Sequence, residues 1–157
     1  MSIAFWCVFV AGLMPGLTAL IAKLGNPEIG RFDNNHPREW MARLDGRRAR
    51  AVAAMQNGFE GFPLFAAAVI IAQFGGAEQA CVNLLAMSYI GIRVLFTICY
   101  LQNWATLRSL VWLAGSGVIL TLLCITRAIG DKINAPAQSM GRQPYFSLAC
   151  TGISRIS

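Results

Sequence analysis

Residues 47–65 read RRARAVAAMQNGFEGFPLF. The run opens on arginines and then turns apolar, yet it carries Asn57 and Glu60 three residues apart, followed by Pro63. An ionisable carboxylate inside an apolar span is costly, and such a residue marks a functional site whose partner has to be named. Whether this run crosses a bilayer, and what answers Glu60, depends on the rest of the chain.

The composition points to a membrane. Of 157 residues, 56% are hydrophobic and only 13% are charged, about half of the roughly 25% typical of soluble domains. The net charge of +6 does not indicate nucleic acid. Lys23, Arg31, Arg38, Arg43, Arg47 and Arg48, six of the thirteen cationic residues, crowd into one connector between apolar runs. A nucleic-acid binder carries such charge on a polar domain with groove-reading or stacking elements; a connector of this kind suits an anionic membrane surface. The five cysteines lie far apart and the lone His36 has no cysteine at ligand spacing. No metal is expected, and the cysteines read as small buried hydrophobes.

Residues 3–22 contain no charge, about the length that crosses a hydrocarbon core. No basic residue precedes them and the apolar run is too long for a leader, so they read as a first span, with Pro15 expected to kink it. A polar connector follows, rich in turn-forming pairs and with a short helix expected near Pro37–Leu44. Further spans are expected at about 50–74, 80–101 and 110–126. The turn Gly75-Gly76 joins the second to the third, and a connector at Gln102–Ser109 joins the third to the fourth. Residues 130–157 are rich in Gly, Pro, Ser and Gln and are expected to form a mobile tail. The result is an all-α integral membrane four-helix bundle. The positive connector places both long connectors in the cytoplasm and the termini on the opposite side.

Arg50, Asn57 and Leu64 are one heptad apart, with Ala53 and Glu60 on the adjoining edge, so they share one helix face. Arg50 stands at the mouth of the second span and Glu60 roughly 15 Å further in, at about 1.5 Å per residue. In the third span Arg93, Phe96 and Tyr100 share a face in the same way. Glu60 and Arg93 fall at similar depths on either side of the turn, which makes Arg93 the expected partner of Glu60. Tyr100, Arg50 and Arg108 fall near the connector surface. The spacing alone equally accommodates a structural Glu–Arg bridge with interfacial arginines reaching to headgroups.

At these residues the chain resembles the MAPEG family, the membrane-associated proteins of eicosanoid and glutathione metabolism. The likeness rests on R-A-x-x-A-x-x-N-x-x-E-x-x-P, here Arg50-Ala51, Ala54, Asn57, Glu60 and Pro63, and on Arg93, Phe96 and Tyr100 followed by Arg108 in LRSLVW. The connector FDNNHPRE is similar to bacterial members, which implies a bacterial inner membrane. The resemblance implies a homotrimer with sites between subunits. It implies glutathione as co-substrate, bound by Arg50, Asn57, Glu60, Arg93 and Tyr100, with Arg108 as the catalytic residue that stabilises the thiolate. The chain departs from leukotriene-forming members, which have an arginine at the position of Ala53, and from many members with a tyrosine at the position of Phe96.

The expected function is a glutathione-dependent transferase or peroxidase acting on small lipophilic electrophiles or lipid hydroperoxides that arrive from the membrane lipid. The alternative is a non-catalytic membrane protein of the same fold that binds a lipid or a partner. A small transporter is a third class, but a single carboxylate within the spans and no repeat of the spans give it little support.

Overall fold

The computed structural model describes residues 2–24 and 32–139, with 127–139 described by backbone alone. Five helices follow in order: α1 (Ile3–Lys23), α2 (Pro37–Ala42), α3 (Gly46–Phe74), α4 (Gln79–Leu101) and α5 (Ala105–Ser139). No strand occurs among the described residues. α1, α3, α4 and the Ala105–Thr126 part of α5 are each long and apolar enough to cross a membrane.

The helices follow the apolar runs, and the ends differ in instructive ways. α3 begins at Gly46, so Arg47, Arg48 and Arg50 all lie on its first turns. α5 begins at Ala105, so the connector after α4 shrinks to Gln102–Trp104 and Arg108 is a helical residue, not a connector residue. Asn103 makes this tight turn with φ of 62°, a left-handed conformation that asparagine tolerates better than most residues. α5 continues to Ser139, past the start of the expected tail; residues 140–157 lie outside the described residues. α1 is helical on both sides of Pro15.

α3 and α4 form the middle of the bundle. α1 packs against both and α5 packs against both, while among the described residues α1 and α5 share no extended interface. Small residues set the spacing: Ala4, Cys7 and Ala11 of α1, Ala68 and Ala72 of α3, and Ala86 of α4 are buried with Phe65, Val69, Val82, Tyr89 and Leu122 in one cluster. Transmembrane helices pack by such close approach because lipid offers no hydrophobic penalty to drive them together. Large side chains face outward, among them Trp6, Phe9, Leu13 and Leu17 on α1 and Leu110, Leu113 and Leu120 on α5. This is the outer surface expected of a bilayer protein.

Both ends of the bundle are tied. At one end the Ala4 amide donates to Asn83 Oδ1 at 3.0 Å, and Gln73 Nε2 donates to Ser2 Oγ at 3.0 Å. The α3–α4 turn there passes so close to Thr126 that a side chain on Gly75 would collide with it. At the other end Ala22, Trp40, Leu44, Ala51 and Leu101 form a second cluster beneath the connector. In the connector the Asn35 amide donates to Asp33 Oδ1 at 2.8 Å. This bond, ahead of the nearby His36, holds the Asp33 carboxyl below the usual carboxylate range. Among the described residues Cys7, Cys81, Cys99 and Cys124 are all free thiols, with Cys7 and Cys99 buried and Cys81 and Cys124 exposed.

Candidate functional site

Two cavities open along the seam where α3, α4 and α5 meet. The deeper one, about 140 Å³, is lined by Asn57, Glu60, Gly61 and Leu64 of α3, by Tyr89, Ile92, Arg93 and Phe96 of α4, and by α5 residues from Val111 to Ile119. The second, about 230 Å³, lies toward the connector end between Asn57, Phe96, Tyr100, Arg108, Ser109 and Trp112. Asn57, Phe96 and Trp112 line both. Neither cavity alone reaches the roughly 300 Å³ at which small-molecule clefts begin, but end to end they form a groove of that size.

One face of α4, joined by Arg108 of α5, lines the groove with cations set against rings. The Arg93 guanidinium lies 4.8 Å from the centroid of the Phe96 ring. Phe96 meets Tyr100 edge to face at 5.3 Å, and Arg108 of α5 sits 4.4 Å over the Tyr100 ring. Each guanidinium is thereby held against an aromatic face while its N–H fork remains available to a carboxylate. The backbone also places Tyr89 on this face, one turn before Arg93. Its ring stacks on Phe65 at 3.9 Å and its hydroxyl is 3.5 Å from the Gly61 carbonyl.

The expected Glu60–Arg93 pair is not formed. Among the described residues the only ion pair within 4.0 Å joins His36 and Asp33. Glu60 and Arg93 line the same cavity, but the guanidinium lies against the glycine face of α3 instead. A Cβ on Gly58 would lie 3.6 Å from Arg93 Nη2, and one on Gly61 would lie 3.7 Å from Nη1. The two glycines open a notch that the guanidinium fills. Glu60, between them in sequence, points away by the helical rotation of about 100° per residue and is exposed.

Of the other residues singled out in the sequence, Asn57, Tyr100 and Arg108 come together as expected. Arg50 does not line either cavity. Its Nε and Nη2 donate to the Leu101 carbonyl at 3.4 and 3.3 Å, where a cation satisfies the last carbonyls of α4 and its negative helix end. Sequence reasoning missed Tyr89, Gly58, Gly61 and the α5 wall. Tyr89 was detectable, since Tyr89, Arg93, Phe96 and Tyr100 follow one helical stripe. Trp112, one turn after Arg108, was detectable in the same way.

On the far side of Arg93 a small cleft of about 10 Å³ adjoins Pro15, Thr18, Gly58 and Thr97. Thr18 Oγ1 donates to the Pro15 carbonyl at 2.8 Å. Arg93 thus lies between the groove and α1, and both neighbours constrain it. No group of three or more metal-ligating side chains occurs among the described residues.

The site is therefore an intramembrane groove with one exposed carboxylate, two guanidiniums against aromatic faces, and an apolar wall on α5. Neither the curated proteins nor the solved structures gave a match to the chain. A family model, described as the MAPEG family, matches residues 3–128. That span contains all four membrane-crossing segments and every residue of the groove. The chain is thus an integral membrane protein that belongs to the MAPEG family, which includes glutathione transferases and peroxidases as well as non-catalytic members.

Proposed function

We propose that the protein is a membrane-bound glutathione-dependent transferase or peroxidase, acting on small lipophilic electrophiles or lipid hydroperoxides in the α3–α4–α5 groove. The observation that carries this reading is the placement of Arg108 against Tyr100 at the open end of a groove that also holds Arg93 and Glu60. Glutathione has two carboxylates, one ammonium and one thiol. Arg93 offers a carboxylate a charge-assisted fork, and Glu60 offers the ammonium its only carboxylate in the groove. Asn57 borders both cavities and can bridge the peptide backbone of the ligand.

Arg108 then stands by the thiol. A fixed positive charge favours the thiolate, which is the nucleophile. In transfer, the sulfur lone pair forms the new S–C bond, the leaving group departs with the electron pair, and the thiol proton is released. In peroxide reduction, two glutathiones are oxidised to the disulfide as the hydroperoxide becomes alcohol and water. The apolar α5 wall, with Val111, Trp112 and Ile119, receives the lipophilic partner from the bilayer. Arg50 acts at one remove by fixing the end of α4 that carries Tyr100.

Glu60 is exposed on the single chain in the middle of an apolar helix. An uncovered carboxylate at that depth is costly, which supports a homotrimer whose neighbouring subunit and bound glutathione cover this face. The positive connector supports a cytoplasmic placement of the groove's open end in a bacterial inner membrane. A second reading, lipid binding without chemistry, is favoured by the apolar residues that dominate the deep cavity. Glutathione titration of the purified protein, with thiolate absorbance as the signal, separates the two. Saturation supports the enzyme, and no binding at millimolar glutathione supports the lipid-binding reading.

A further inference from the structure

Among the described residues, two buried hydrogen-bond donors at the connector end of the bundle have no acceptor. Trp40 is only 6% exposed, and its Nε1 is buried without a hydrogen-bond partner among the described residues. Arg48 Nη2 is in the same state. Indole and guanidinium groups donate and cannot accept, and a buried donor left unpaired is costly. The two belong to one corner. Arg48 stands one turn before Ala51 and Val52 on the same face of α3, and those residues pack in the cluster that contains Trp40.

Other features of the corner have the same sign. The N-cap of α3, Asp45, makes no side-chain cap bond, so the first amides of this long helix present its positive end. Lys23 Nζ lies 4.0 Å over the Phe32 ring, which in turn meets Trp40 edge to face at 5.2 Å. Arg43 and Arg47 are exposed beside it. The nearby carboxylates do not answer these charges, because neither Glu39 nor Asp45 forms an ion pair among the described residues. Trp40 packs with Ala22 and Leu101, at the ends of α1 and α4, so the corner lies at headgroup level.

We infer that this α2–α3 corner binds the phosphate of an anionic membrane lipid, with Trp40 Nε1 and Arg48 Nη2 as its donors. A phosphodiester offers acceptors only, which complements the two unpaired donors. Its level is where such groups lie in a bilayer, and none of these residues lines the groove. Two fixed donors distinguish the site from the diffuse attraction that any basic connector exerts.

The test is lipid retention by the purified full-length protein, measured by native mass spectrometry with phosphatidylglycerol and phosphatidylcholine. Phosphatidylglycerol is expected to be retained in preference. Arg48→Gln lowers its apparent affinity about tenfold or more, as loss of a buried charge-assisted bond does, whereas Arg47→Gln lowers it only a few-fold. Trp40→Phe keeps the ring and the net charge, so diffuse attraction predicts no change and the two fixed donors predict a loss. Melting temperatures measured alongside confirm that each variant is folded. Millimolar inorganic phosphate separates the sources of the oxyanion: unchanged retention assigns the site to the lipid headgroup, and displacement of the lipid shows that free phosphate also occupies it. Equal losses from Arg47→Gln and Arg48→Gln, or full retention by Trp40→Phe, would overturn the proposal. So would a protein that retains neither lipid.

Discussion

Pro15 of α1 rests directly on Gly58 of α3: a Cβ at Gly58 would stand 2.9 Å from the proline Cγ. The same Cβ would stand 3.6 Å from Arg93 Nη2. One missing methyl group therefore sets both the approach of α1 to α3 and the seat of the guanidinium.

Gly58→Ala is expected to destabilise the protein by roughly 1–3 kcal/mol, the usual cost of overpacking a tight contact. Because the displaced neighbours include Arg93, glutathione affinity should fall as well. Thermal unfolding in detergent and ligand titration check the two effects. Gly16→Ala, where a Cβ meets nothing within 4 Å, serves as the neutral control.

Gly75 makes a separate prediction about the opposite end. Gly75→Ala places its methyl against the Thr126 side chain and should cost about 1–3 kcal/mol. Thr126→Ala removes the colliding methyl, so the double variant should recover most of that loss. A double-mutant cycle on melting temperature measures the coupling, and additive losses would show that the two helix ends do not meet as described.

The helices were largely legible in the sequence because a bilayer imposes length and apolarity on each span. The four runs, the turn at Gly75-Gly76 and the short α2 follow from that rule. The groove was legible in part. Heptad spacing fixes the faces of Asn57 on α3 and Tyr100 on α4, and the start of α5 at Ala105 brings Arg108 to them. The Glu60–Arg93 pair failed because depth along two helices does not fix rotation about them, and the notch at Gly58 and Gly61 drew the guanidinium inward. Arg50 was misplaced for a related reason: its long side chain reaches the Leu101 carbonyl instead of the cavity.

Glu60 and Arg93 should consequently behave as independent groups in the free protein. Glu60→Gln, near-isosteric at a residue with no ion pair in its own chain among the described residues, is expected to leave stability within about 0.5 kcal/mol, while lowering glutathione affinity about tenfold through loss of a charge-assisted bond. A large loss of stability would instead show a structural bridge. Chemical denaturation and titration of the same preparation decide between them.

Arg50→Ala should loosen the end of α4. Loss of its bonds to the Leu101 carbonyl is expected to cost about 1–2 kcal/mol and to speed hydrogen exchange at the Gln102 and Asn103 amides. Arg50→Lys, which keeps the charge and loses the fork, should recover only part of this.

The central claim is that the groove holds glutathione with its thiol ionised beside Arg108. The direct measurement is glutathione titration of the purified protein with thiolate absorbance as the readout, run in parallel on Arg108→Ala. A saturable thiolate signal is expected in the native protein, and in the variant retained binding with that signal lost. Absence of binding at millimolar glutathione, or an undiminished thiolate signal in Arg108→Ala, would contradict it.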